Sequence, residues 1–182
     1  MNRTSSLEYA LLGMLRQKPQ SGYDLRKAFA TTPMRHFSDS PGSVYPALRR
    51  MQARGWIAGN AGQDNARKRQ EFRITPPGTR AFIGWLRQPI THEDAIWGLE
   101  QLMLRFAFLD GNVGRQDTLR FLEEFEQELT AYVRELHEYQ KNFHPKLHLT
   151  TGYLAFKNGV DSYQAQLAWV RHVRKQFAEA LS

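Results

Sequence analysis

Ser40-Pro41-Gly42-Ser43-Val44-Tyr45-Pro46-Ala47-Leu48-Arg49-Arg50-Met51-Gln52-Ala53-Arg54-Gly55 holds the strongest local signals in the chain. Ser40 is placed to cap a helix whose first residue is Pro41, where the missing N–H breaks no helical bond. Gly55 is placed to take the left-handed position that closes the helix after Arg54. Val44, Leu48 and Met51 recur at i, i+4 and i+7 and form one apolar stripe. Ser43, Pro46, Ala47, Arg50 and Arg54 are expected on the opposite, open face, with Tyr45 and Arg49 flanking the stripe. Small residues at the start and arginines further along suit a helix that enters a groove closely.

Upstream, Leu7, Leu11, Met14 and Leu15 recur at helical spacing over about 5–16. Lys18-Pro19 ends that helix, because a residue before proline resists the helical region. Ser21 is expected to cap a second helix through about Ala30, with Tyr23, Leu25, Ala28 and Phe29 available for burial. Downstream, two strands are expected at 56–58 and 71–75. The hairpin between them carries the basic run Arg67-Lys68-Arg69. Thr75 then caps a helix from Pro76-Pro77 to about Arg87, packed back through Phe82, Trp85 and Leu86. Pro89 marks a boundary within 88–92, dividing domain 1–90 from domain 91–182. Three helices, a strand, a hairpin, a strand and a helix form the order of a winged helix-turn-helix.

The second half reads as three helices. Residues 93–109 include Trp97, Leu102, Phe106 and Phe108, are apolar around much of the circumference, and are expected to be buried. From about 114 to 142, Leu122, Phe125, Leu129, Tyr132, Leu136, Tyr139 and Phe143 alternate spacings of three and four, a heptad seam. From about 150 to 180, Phe156, Val160, Tyr163, Leu167 and Val170 form a similar stripe. Such seams serve, at the simplest, as core within one subunit. Large aromatics along so long a helix are hard to cover with two neighbours, however, and favour a dimer interface.

Charge divides with the domains. The chain has 182 residues and a net charge of +7. Residues 1–90 hold 15 Lys and Arg against 5 Asp and Glu, a net of +10, while residues 91–182 hold 10 against 13, a net of −3. A basic half joined to a mildly acidic one suggests a polyanion-binding part and a part with another task. Hydrophobic residues at 41% are enough for a core.

There is no cysteine, which excludes disulfides, thiolate metal sites and cysteine nucleophiles. No apolar run approaches the roughly 20 residues of a membrane span. Residues 1–12 do not read as a secretory signal, and a cytoplasmic location is expected. No phosphate-binding loop, dinucleotide fingerprint, zinc-protease or serine-hydrolase motif is present, so no enzyme activity is expected. His137, His144 and His148 invite a metal reading. Pro145 breaks their register and no carboxylate stands at matching spacing, so neither metal nor cofactor is expected.

Four blocks then align with a known pattern. Leu11-Leu12-Gly13-Met14-Leu15, Ser21-Gly22-Tyr23-Asp24-Leu25, the run from Ser40 to Met51, and Phe72-Arg73-Ile74-Thr75 with Gly78 behind it together resemble the PadR family of transcriptional regulators over roughly residues 6–88. The length of the remainder, with Gly159 and Trp169 in its last helix, resembles the longer subfamily. The resemblance implies a mostly α protein: an N-terminal winged helix-turn-helix with a two-stranded wing, and a C-terminal long-helix dimerisation domain. It implies a homodimeric, ligand-responsive DNA-binding regulator, most often a repressor. Double-stranded DNA with an inverted repeat and a second copy of the chain would be the partners. Ser43, Tyr45 and Pro46 match the recognition-helix block and Tyr23 the second-helix block. The wing departs from the family pattern at Ala66-Arg67-Lys68-Arg69 while keeping its charge.

The DNA contacts expected are therefore Tyr23, Ser43, Tyr45, Pro46, Arg49, Arg50, Arg67, Lys68 and Arg69. Dimerisation is expected through Leu122, Phe125, Leu129, Tyr132 and Leu136 and through Phe156, Val160, Tyr163, Leu167 and Val170. Trp97, Phe106, Tyr153 and Trp169 are candidates to line a site for a small aromatic or hydrophobic effector, although core packing is the simpler role for most of them. The rival reading is a protein-interaction module that uses the winged domain and the heptad helices without DNA.

Overall fold

The computed structural model describes residues 5–31, 41–60, 70–144, 146 and 149–179. The chain divides into two compact units, Met1–Leu86 and Arg87–Ser182. The divide falls before the expected 88–92 because Ile90 is already tied into the second unit. Its side chain is buried and its N–H donates to Glu124 Oε2 at 2.9 Å.

In the first unit, α1 (Ser6–Gln17) is capped by Ser5, whose hydroxyl accepts from the N–H of Glu8. It is buried nearly all round, not along one stripe. A two-residue strand, β1 (Gln20–Ser21), leads into α2 (Gly22–Thr31). Ser21 Oγ caps α2 by accepting from the N–H of Asp24 at 3.2 Å. A 3-10 turn at Pro41–Ser43 precedes α3 (Val44–Ala53), so the regular helix begins three residues after the proline expected to open it.

The end of α3 follows the expectation. Gly55 has φ 68°, its N–H donates to Gln52 O, and Trp56 N–H donates to Met51 O. That pair of bonds is the Schellman closure of a helix C-terminus. Strands β2 (Ile57–Asn60) and β3 (Glu71–Ile74) pair antiparallel with Gly59 opposite Phe72. β1 adds to the other edge of β3, so the sheet has three strands in the order β1-β3-β2. A two-stranded wing was expected; β1 is too short to show in sequence periodicity. Thr75 Oγ1 accepts from the N–H of Gly78 at the start of α4 (Pro76–Leu86) and donates to Gly55 O at 2.6 Å. Tyr9 stacks on Trp85 with ring centroids 4.4 Å apart, which fastens α1 to α4.

In the second unit the helix expected over 93–109 is two, α5 (His92–Trp97) and α6 (Leu99–Ala107). They break at Gly98, φ −108° and ψ 18°. α5 is held at its start by a reciprocal capping box between Thr91 and Asp94. The break also corrects the burial expected of Trp97, which is 79% exposed. α7 (Arg115–Gln140) and α8 (Thr151–Glu179) form an antiparallel pair. Glu126 bonds to Arg171 and Arg174, Tyr132 meets Tyr163, and Tyr139 meets Phe156.

The heptad seam closes inside this pair. Leu122, Phe125, Leu129, Val160, Leu167 and Val170 are buried within one chain, and Tyr132 lies edge-on to Tyr163 with centroids 4.8 Å apart. Tyr132, Leu136, Phe156 and Tyr163 are half-buried in the same seam. Within one chain these positions thus take the simpler of the two roles the spacing allows, packing inside the second unit.

Candidate nucleic-acid interface

The open side of α3 is not the one its stripe suggested. Ala47 is fully buried with Val44, Leu48 and Met51. The arginines of the expected outer face turn toward α1. Arg50 Nε donates to Glu8 Oε1 at 2.7 Å, and Arg54 Nη1 donates to Glu8 Oε2 at 2.8 Å. Arg54 also lies over the Trp56 ring, 5.0 Å from its centroid. Three apolar residues at i, i+4 and i+7 locate only the centre of a buried face. A small alanine widened that face to one side, and the half-buried Arg54 borders it.

Exposed on α3 are Tyr45, at 44%, Arg49, and Arg50, whose side chain stays 43% exposed while paired to Glu8, with Gln52 half-buried below them. Tyr23 of α2, 39% exposed, stands beside them with Arg26 over its ring at 5.6 Å. Tyr23, Tyr45, Arg49, Gln52 and Gln70 line a cleft of about 380 Å³ floored by Leu48 and Phe72. Ser43 and Pro46 are half-buried at the start of α3. The cleft lining offers a guanidinium, two phenols and two carboxamides. Guanidinium and amide groups are the ones that bond to phosphates and base edges.

Residues 11–83 match the model of the transcriptional regulator PadR-like family. That match falls within the first unit. Over 87 residues the chain is 30% identical to the negative transcriptional regulator PadR of Bacillus subtilis (strain 168), covering 46% of this chain and 48% of that protein. The match thus spans about half the length of that relative. Crystal structures of Bacillus subtilis PadR are also similar. The complex with operator DNA is 20% identical, covering 96% of this chain and 99% of that chain at a TM-score of 0.43. The complex with p-coumaric acid is 20% identical, covering 98% of each at 0.41.

Within the first unit, the structure brings Tyr23, Tyr45 and Arg49 together and pairs Arg50 with Glu8. Arg67, Lys68 and Arg69 lie outside the described residues. Sequence reasoning passed over Glu8, Gly22, Gln52 and Gln70. Glu8 had one visible signal, a lone acid among the apolar residues of α1. Gly22 had its place in the Ser21-Gly22-Tyr23 block. The glutamines had none, because polar residues at helix and strand edges are ordinary surface.

In the second unit, the four effector candidates are not gathered in one place. Phe106 meets Trp169 edge-on at 5.5 Å. Tyr153 sits about 24 Å further along α8, at 1.5 Å of rise per residue. There it packs on Phe143 and accepts from Gln140 Nε2 at 2.9 Å. Trp97 is exposed on its own helix. Trp169 does border an apolar hollow of about 300 Å³ with Leu99, Met103 and Phe125. Among the described residues, no group of three or more His, Asp or Glu could hold a metal ion, and no helix is long and apolar enough to cross a membrane.

Proposed function

We propose that the chain is a DNA-binding transcriptional regulator that works as a homodimer and represses until a small ligand releases it. Each PadR-like domain would lay the Tyr45–Arg49 edge of α3 in a major groove, with Tyr23 against the adjoining backbone and Ser43 and Pro46 at the point of closest approach. The observation that carries the reading is the exposed cluster of Tyr23, Tyr45 and Arg49 on the outer edge of a helix-turn-helix in a half of net charge +10. A winged-helix domain used only for protein contacts has no need of so much uncompensated positive charge.

A twofold pair of heads requires an inverted repeat with half-site centres about 34 Å apart or a multiple of that. Leu154, Trp169 and Phe177, large apolar side chains left exposed on α8, support pairing through the second unit. The hollow beside Trp169 supports a small aromatic or hydrophobic ligand, which would shift the balance between two conformations by binding them unequally. Repression is the role named for the Bacillus subtilis relative.

The test is fluorescence anisotropy of the full chain on duplexes from its own upstream region and on an unrelated duplex. Sequence-specific binding with a stoichiometry of two chains per site is expected. Equal affinity for all duplexes at low salt, or no binding at micromolar protein, would overturn the reading.

A further inference from the structure

One buried carboxylate on α1 selects which edge of α3 is open. The Glu8 side chain is 1% exposed, and each of its oxygens accepts from a different arginine of α3, Arg50 and Arg54, four residues apart and so about one turn. A carboxylate at that depth is tolerated only when both oxygens are satisfied. The apolar stripe of α3 cannot enforce this alone, because aliphatic packing is non-directional and tolerates small slides. The two ion-pair bonds are directional. Turning α3 by one residue, about 100°, would put Arg49 in the place of Arg50 and Ala53 in the place of Arg54, and leave one oxygen of the buried carboxylate without its arginine.

We infer that Glu8, acting through Arg50 and Arg54, is a positioning residue for sequence reading by α3. It holds the rotational setting that presents Tyr45, Arg49 and Gln52, and it keeps two guanidiniums from gripping phosphates without regard to sequence. The inference rests on the DNA-binding reading above and adds to it a source of discrimination that touches no DNA. Neutralising Glu8 leaves two cations without their internal counter-charge beside a polyanion. Sequence-blind, salt-sensitive binding then grows at the expense of selectivity.

The experiment compares parent, Glu8→Gln and Arg50→Met as full chains, on the best upstream duplex and on an unrelated duplex of equal length, from about 50 to 200 mM salt. Circular dichroism checks that each variant is folded. For Glu8→Gln, the ratio of specific to unrelated affinity is expected to fall at least about tenfold. Its plot of log affinity against log salt should steepen by about 1–2, near 0.9 for each phosphate gained. For Arg50→Met the slope should stay at the parent value, because Arg50 serves Glu8 and not a phosphate. A folded Glu8→Gln with parental ratio and slope overturns the inference. So does a flattened slope for Arg50→Met, which remains decisive if Glu8→Gln does not fold. A parent that discriminates between duplexes confines such a failure to Glu8, whereas a parent that binds neither duplex overturns both readings.

Discussion

Tyr45 of α3 rests on Gly22 at the start of α2, so closely that a β-carbon on Gly22 would lie 2.8 Å from Tyr45 Cε1. Real β-carbons do not approach a ring carbon that nearly. Leu48 and Phe72 stand at 3.4 and 3.5 Å from the same point and close the other sides. The missing side chain of Gly22 is therefore the seat of an exposed tyrosine on the candidate DNA face.

Gly22→Ala should displace the Tyr45 ring while keeping the fold. Overpacking costs about 1–3 kcal/mol, offset in part by the better helix propensity of alanine. Specific DNA affinity should fall about tenfold, equivalent to 1.4 kcal/mol. A double-mutant cycle checks the route: Gly22→Ala should add little to Tyr45→Ala if both act through the ring. Additive losses would place the effect elsewhere.

Phe125→Ala should destabilise the second unit by about 3–5 kcal/mol, since the ring is fully buried at the centre of the α7–α8 seam. Chemical denaturation of the full chain would show this as a shift in the transition of the second unit. A shift below about 1 kcal/mol would mean that the seam is filled from elsewhere.

Tyr163 ties α8 to α5 by donating its hydroxyl to Ile96 O at 3.0 Å. Burial first, and the neighbouring Tyr132 second, raise its pKa above the ordinary 10.0. The fold thus favours the neutral phenol. The stability from this linkage is fully present below about pH 10 and is lost as pH rises through the higher folded value. Tyr163→Phe should cost about 0.5–1.5 kcal/mol at neutral pH and remove that part of the alkaline loss. Thermal unfolding of both proteins between pH 7 and about 11 tests it; parallel curves would discard the role given to Tyr163.

Thr91→Ala removes one half of the capping box that starts α5, directly after the divide between the units. A loss of about 0.5–2 kcal/mol is expected, and Thr91→Ser should recover most of it. Amide hydrogen exchange should show faster opening at 92–97 in the alanine variant alone.

Local grammar was legible before any coordinates. The Ser21 and Thr75 caps, the left-handed close at Gly55, the two strands expected at 56–58 and 71–75 and found at 57–60 and 71–74, and the long helices of the second half all depend on interactions within a few residues. So did the basic first half and the four family blocks. The third strand was not legible, because a two-residue element exists only through its partner in β3.

The outward edge of α3 and the use of the heptad seam belong to longer range. Periodicity shows that a helix has an apolar side, but not how wide that side becomes when a neighbour brings a counter-charge. Glu8 and its two arginines are 42 and 46 residues apart. Only the folded chain sets that carboxylate against α3, where it pairs Arg50 and Arg54 and leaves Arg49 off the ion pair. The same holds for Leu122, Phe125 and Leu129, whose spacing suits any apolar helix and whose burial within the chain shows only once the helices are assembled. Short-range hydrogen bonds and steric preferences are written in adjacent residues, whereas the choice among equally apolar partners is made by distance in space.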